Sequence, residues 1–168
     1  MQHHVFATPL GPIALVWNPE GLRAISWGEG GVKDWAKTVA ARHRSQESPL
    51  PPALHGWKEN LLGYASRGHA RFPSLSFRGL PPFHARVYQE LRRTRPGETI
   101  SYGELARRAG SPRAARAVGD AMRRNPFVIA VPCHRVVRTG RDLGSYSGPG
   151  GEEGKLRLLR LEGAKNLP

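Results

Sequence analysis

The sequence predicts an α+β protein in two parts: an amino-terminal antiparallel sheet with helices over residues 1–75, and a helical, winged helix-turn-helix-like part over residues 76–168. Three observations carry that reading. Short apolar segments separated by proline- and glycine-containing turns fill the first thirty residues. Helical spacing with start and stop signals takes over from Phe83. Between them, Phe72 to Pro82 holds three prolines and a glycine, the composition of a linker.

In the first part, residues 3–7 and 12–17 read as strands around the turn Pro9-Leu10-Gly11-Pro12, and Leu22 to Trp27 as a third strand after Asn18-Pro19-Glu20-Gly21. Consecutive strands joined by tight turns pair antiparallel. Residues 31–44 read as a helix and Ser45 to Pro52 as a polar loop. Ala53 to Ser66 is a second helix, with Trp57, Leu61, Leu62 and Tyr64 as its apolar positions.

In the second part, Phe83, Val87 and Leu91 keep helical spacing until Arg95-Pro96-Gly97-Glu98 closes the segment. Ser101-Tyr102-Gly103-Glu104 is an S-x-x-E capping box that opens a short helix through Ala109, stopped by Gly110. Ser111 then caps a further helix with Pro112 at its first position. Two helices around a glycine turn form a helix-turn-helix. On the second, Arg113, Arg116, Arg123 and Arg124 share an arc with Asp120, while Ala114, Ala115, Ala117, Val118, Ala121 and Met122 are expected to pack inward. Phe127 to Val131 reads as a buried extended segment, Gly140 to Gly151 as a flexible loop, and Lys155 to Leu161 as a helix ending at Glu162-Gly163.

With 26 Lys and Arg against 13 Asp and Glu, the chain carries a net charge of +13. Such a surface attracts polyanions. Five of the cations are lysines (Lys33, Lys37, Lys58, Lys155, Lys165) and the rest arginines, the better bidentate phosphate ligand. Arginine abundance also follows genomic composition, so the charge points to nucleic acid without proving it. One cysteine excludes an intramolecular disulfide, and neither it nor the seven histidines show metal-ligand spacing. No signal peptide and no apolar run of about 18 residues is seen, which fits a reducing compartment and no membrane.

The one thiol, Cys133, lies in Pro132-Cys133-His134-Arg135-Val136. A thiol attacks as its thiolate, and a neighbouring histidine or cation makes that form accessible. On these residues alone a hydrolase nucleophile, a redox sensor and an inert core thiol all stay open.

The motifs in order narrow the choice. Phe83 to Tyr88, Gly97-Glu98-Thr99-Ile100-Ser101-Tyr102-Gly103-Glu104-Leu105-Ala106, Arg116-Ala117-Val118-Gly119, Asn125-Pro126, the cysteine motif, Tyr146-Ser147-Gly148 and Leu158-Leu159-Arg160-Leu161-Glu162-Gly163 resemble the pattern of the O6-alkylguanine-DNA alkyltransferases. The resemblance runs from about Phe83 to Gly163. It implies repair of DNA by irreversible, single-use transfer of an alkyl group from flipped-out O6-alkylguanine to Cys133, with no metal and no cofactor.

Roles follow by motif. Cys133 is the expected nucleophile, His134 its base acting through a water, and Glu162 the carboxylate that orients the imidazole. Asn125 braces the cysteine turn, and Tyr102 helps flip the nucleotide and protonates the leaving guanine. Arg116 fills the vacated stack; Ser101, Ala115, Arg123 and Arg135 are further expected DNA contacts. Val136, Tyr146, Ser147 and Met122 are expected to line the substrate pocket. The implied partner is double-stranded DNA bearing O6-alkylguanine, with O4-alkylthymine a further candidate, bound by a monomer in the cytoplasm at the nucleoid, or in the nucleus of a eukaryote. Asp120, Arg123 and Arg124 depart from the family's small or uncharged residues there, and Pro149 to Gly154 is longer than in some relatives. Alkyltransferase-like binding modules lack the cysteine that this chain keeps, and a regulator of transcription would carry an additional zinc-cysteine domain.

Overall fold

The computed structural model describes residues 1–140, 142–165 and 167. Residue 141, in the predicted loop 140–151, and residues 166 and 168 lie outside the described residues. The chain divides into two compact units, one of Met1–Ser76 with Pro126–Val128, the other of Phe77–Asn125 with Ile129–Pro168.

The first unit is built on strands β1 (Gln2–Phe6), β2 (Ile13–Asn18) and β3 (Gly21–Trp27), which pair antiparallel in sequence order. Thr8 and Gly11 exchange backbone hydrogen bonds to close the first turn. Helix α1 (Val32–His43) packs on one sheet face, where Val39 joins Val5, Ala14, Val16 and Ala24 in an apolar cluster. A two-residue strand, β4 (Gln46–Glu47), pairs parallel to β1 inside the predicted loop 45–52, so the sheet is mixed, ordered β3-β2-β1-β4. Two residues carry no readable periodicity, which is why sequence reasoning passed over them. A 3-10 turn at Pro52–Leu54 leads into α2 (His55–Arg67), which buries Trp57, Leu61, Tyr64 and Ala65.

Phe127 bridges Ile25 in this unit, with Ile25 N–H donating to Pro126 O (2.8 Å) and Val128 N–H to Ile25 O (3.2 Å). The predicted extended segment 127–131 is buried at Phe127, Ile129, Ala130 and Val131 but not extended throughout. Ile129 takes φ of 74°, a left-handed conformation that turns the chain after three paired residues.

The second unit opens with α3 (Pro82–Leu91), burying Val87, Tyr88 and Leu91. Strand β5 (Ile100–Ser101) pairs parallel with β6 (Val136–Val137). Ser101 caps α4 (Tyr102–Arg108), its hydroxyl accepting from Glu104 N–H at 3.1 Å. The reciprocal half of the capping box is replaced, because Glu104 pairs with Arg107 and Arg108.

α4 ends in a Schellman motif: Gly110, at φ of 77°, donates to Arg107 O and Ser111 to Ala106 O. Helix α5 (Ala115–Arg123) therefore starts three residues later than Pro112. Ser111 is occupied in closing α4, and its carbonyl accepts from Ala114 N–H, so Pro112 sits in a turn that suits its fixed φ. Arg113 falls outside the helix, and Ala117 is exposed rather than packed inward; Val118, Ala121 and Met122 form the buried face. α6 (Gly151–Leu161) begins four residues before Lys155, so part of the longer stretch 149–154 is its first turn. Among the described residues no helix is long and apolar enough to cross a membrane.

Candidate active site

Cys133 opens a single 3-10 turn, Cys133–Arg135, set directly after Pro132. Its N–H donates to Val131 O (2.8 Å), and Arg135 N–H to Pro132 O (2.9 Å). The Asn125 amide donates to Val131 O (2.8 Å) and its side chain hydrogen-bonds the thiol, so one residue ties the turn to its sulfur. Burial pushes the Cys133 thiol above its ordinary pKa. The Asn125 hydrogen bond, the Lys155 charge and the N–H groups of Cys133 and His134 act the other way.

His134 is fully buried. Its Nε2 lies 2.7 Å from Glu162 Oε1, at the end of α6. A carboxylate there requires Nε2 to carry the proton, which leaves the Nδ1 lone pair as the basic site. Burial lowers the imidazole pKa, the Glu162 hydrogen bond and charge raise it, and the charges of Arg135 and Lys155 lower it; the net direction is down.

Among the described residues Glu162 gathers at least four donors. Besides His134 it accepts from Arg135 Nε (2.9 Å, Oε2), Arg135 Nη2 (2.9 Å, Oε1) and Gly97 N–H (2.9 Å, Oε2). Burial pushes its carboxyl up, but the hydrogen bonds and charges of His134 and Arg135 outweigh it and hold the group well below the carboxylate range. Gly97 comes this close because it lacks a side chain. It holds φ of 77°, and a Cβ there would stand 2.9 Å from Glu162 O.

A pocket of about 620 Å³ opens above the sulfur. α4 and α5 contribute Tyr102, Ala115, Arg116, Met122 and Arg123; Cys133, Tyr146 and Ser147 complete the predicted residues that border it. Burial, then the Cys133 charge, raise the Tyr146 phenol well above its ordinary range, and burial also raises Tyr102. Both phenols therefore remain protonated donors at neutral pH. Gly119 faces Tyr102 with room to spare, since a Cβ there would make only ordinary contact with the phenol ring at 3.9 Å. Arg123 shares Asp120 with Arg124, at 2.6 and 3.0 Å, so the family-atypical residues 120, 123 and 124 form one ion-paired group at the rim.

Two expectations are corrected. Arg135 is no DNA contact: it is buried, its fork holds Glu162, and its Nη1 donates to Thr94 O (2.6 Å) and Thr94 Oγ1 (3.1 Å). Val136 does not border the pocket. Its N–H bonds the Cys133 carbonyl, and its own carbonyl accepts from Lys155 Nζ at 2.6 Å. Ser101 is half-buried, with its hydroxyl engaged in capping.

Sequence reasoning missed Lys155, whose fully buried ammonium bridges Val136 O and Leu143 O (2.5 Å). Burial brings its pKa down to about 8, against the pull of the Cys133 charge. A signal existed: Lys155 shares the i, i+3, i+4 face of Leu158 and Leu159, the buried stripe of α6. Among the described residues no three His, Cys, Asp or Glu are grouped to hold a metal ion.

The family model "6-O-methylguanine DNA methyltransferase, DNA binding domain" matches residues 82–164. The chain is 38% identical to the methylated-DNA–protein-cysteine methyltransferase of Cricetulus griseus, covering 97% of this chain and 82% of the relative. It is also 38% identical to that of Salmonella typhimurium, covering 94% and 92%. The crystal structure of Mycobacterium tuberculosis OGT in complex with DNA superposes with a TM-score of 0.76 at 32% identity, covering 97% of this chain and 93% of that one. The O6-methylguanine-DNA methyltransferase from Pyrococcus kodakaraensis gives 0.69 at 30% identity, covering 96% and 99%. By identity along nearly its whole length and by fold alike, the chain belongs to the family of methylated-DNA–protein-cysteine methyltransferases.

Proposed function

We propose that this protein repairs O6-alkylguanine in double-stranded DNA by moving the alkyl group onto Cys133. The Cys133 sulfur attacks the alkyl carbon, a carbon–sulfur bond forms, the carbon–oxygen bond to guanine breaks, and the thiol proton passes to His134 through a water. Tyr102 gives a proton to the leaving base and regains one from solvent, while the His134 imidazolium releases the thiol proton to solvent, so one proton in all moves from sulfur to guanine. A thioether is not readily reversed by hydrolysis or by a second thiol, so each molecule acts once. The thiol is itself the acceptor, and the reaction balances without a cofactor.

The observation that carries this reading is the His134–Glu162 contact at 2.7 Å beside a lone cysteine that borders an open pocket. Glu162 fixes which imidazole nitrogen bears the proton, as the third member of a triad does. Asn125 braces the cysteine turn, and Tyr146, Ser147 and Met122 enclose the flipped base. Arg116 enters the stack in place of that base, Ala115 and Arg123 approach the backbone beside it, and Ser101 does so from the start of α4. Residues 76–168 are then the alkyltransferase domain and 1–75 an accessory one. We place the protein with the DNA it repairs, in the cytoplasm at the nucleoid or in the nucleus of a eukaryote, acting as a monomer, with O4-alkylthymine as a second lesion.

The test is intact mass and peptide mapping after incubation with a duplex carrying O6-methylguanine. One methyl on the peptide bearing Cys133 is expected, and none with undamaged duplex. No mass gain, or equal methylation of a Cys133→Ala variant, sinks the proposal.

A further inference from the structure

We propose that Arg135 is a positioning residue that takes up the charge of Glu162 and thereby holds His134 as a neutral base until Cys133 reacts. The geometry is a shared carboxylate. Glu162 Oε1 lies 2.7 Å from His134 Nε2 and accepts from Arg135 Nη2 at 2.9 Å, while Oε2 takes Arg135 Nε and the Gly97 N–H, both at 2.9 Å. The third guanidinium nitrogen is fixed by Thr94, whose hydroxyl donates to Leu91 O (2.7 Å) and so presents a lone pair to Arg135. Arg135 and Glu162 side chains are 8% and 0% exposed, so water screens this pairing little.

Charge balance gives the fork its consequence. A buried glutamate facing only a histidine is neutralised by protonating that histidine, which turns a base into an ammonium-like donor. With Arg135 in the fork, the carboxylate is already neutralised, and an imidazolium would add an unmatched charge. The remaining charged groups around the site reinforce this. Lys155 adds a second positive charge that acts on both His134 and Cys133. Around the sulfur lie Asn125, Lys155 and the phenols of Tyr88, Tyr102 and Tyr146. Burial, Arg135 and Lys155 together outweigh Glu162 and set the imidazole below its ordinary value.

One event changes the balance. When the thiol gives up its proton to His134, the new imidazolium is matched by the new thiolate, and the buried group keeps its total charge. Near neutral pH, above the lowered His134 value, protonation of His134 is thus tied to ionisation of Cys133. The consequence for rate rests on the alkyl-transfer reading; the protonation state of His134 does not.

The test is an NMR titration of 15N-histidine-labelled protein, wild type beside Arg135→Met and Arg135→Lys, without any alkyl donor. The wild-type His134 is expected to titrate below the ordinary histidine value. Arg135→Met is expected to raise the inflection by about 1–3 pH units, the usual effect of an uncompensated neighbouring charge. Arg135→Lys, which keeps the charge, restores most of it. The acid limb of single-turnover transfer from free O6-benzylguanine moves with the inflection. A wild-type His134 that is protonated at pH 7 overturns the proposal, and so does a folded Arg135→Met with an unmoved inflection or a rate loss equal at every pH. If Arg135→Met does not fold, the wild-type titration decides alone. Absence of alkylation on Cys133 speaks only against the alkyl-transfer reading, since the titration needs no donor.

Discussion

Replacing Glu162 with glutamine keeps the volume and removes the charge, and the structure sets the size of the effect. Whichever way the amide is turned, its NH2 group faces two donors: His134 Nε2 and Arg135 Nη2 on one side, Arg135 Nε and Gly97 N–H on the other. Arg135 then keeps Thr94 and one bond to the amide oxygen but loses the buried negative charge opposite its guanidinium. Breaking a buried ion pair from one side costs about 3–5 kcal/mol. Against a total stability of about 5–15 kcal/mol the protein still folds at 25 °C. At roughly 2–4 °C per kcal/mol for a chain of this size, the melting temperature falls by about 6–20 °C.

The pH dependence has a defined sign. Glu162 has a depressed pKa in the folded state, so its contribution is complete above the ordinary value of 4.5 and is lost as pH falls from there toward the folded value. Wild type and Glu162→Gln should therefore differ most above pH 4.5 and converge on acidification. Calorimetry from pH 3 to pH 8 reads the stability, and single-turnover transfer from alkylated duplex reads the rate. The rate is expected to drop by roughly 10²–10⁴-fold, the range of a lost acid–base contribution. A variant that melts with wild type at pH 7 and reacts as fast would refute both the clamp and the triad.

Three further outcomes are expected. Tyr88→Phe removes the bond from the phenol to Ala121 O, 2.7 Å long and buried, and should lower stability in urea by about 1–3 kcal/mol; an unchanged midpoint counts against it. Gly97→Ala puts a Cβ 2.9 Å from Glu162 O at a left-handed φ, so it should destabilise by more than about 1 kcal/mol and slow transfer; wild-type melting and rate together would contradict this. Arg116→Ala, exposed at the pocket rim, should slow repair of duplex more than alkylation by free O6-benzylguanine, and equal losses on both remove its stack-filling role.

Local signals made much of the molecule legible. The three antiparallel strands follow from apolar runs and turn residues, and α4 from the Ser101 cap and Gly110. What escaped depended on partners far along the chain. Arg135 reads as a surface cation until Glu162, 27 residues later, and Thr94, 41 earlier, close around it. Lys155 needs the carbonyls of Val136 and Leu143, and β5 pairs with β6 through two residues per strand, too few for periodicity. The late start of α5 came from competition: Ser111 could cap the next helix or close the previous one, and it closes the previous one.

The burial of Cys133 bears on how long an unused molecule lasts. Oxidation and adventitious alkylation follow thiolate fraction and access, and here Cys133 is 7% exposed and burial pushes its thiol pKa up. An intrinsically acidic, open thiol would be consumed by peroxide or stray electrophiles before it met a lesion, and no second cysteine stands ready to rescue it by exchange. What guards the single-use sulfur in this fold is its burial in the cysteine turn, so that the pocket is the route by which an electrophile reaches it.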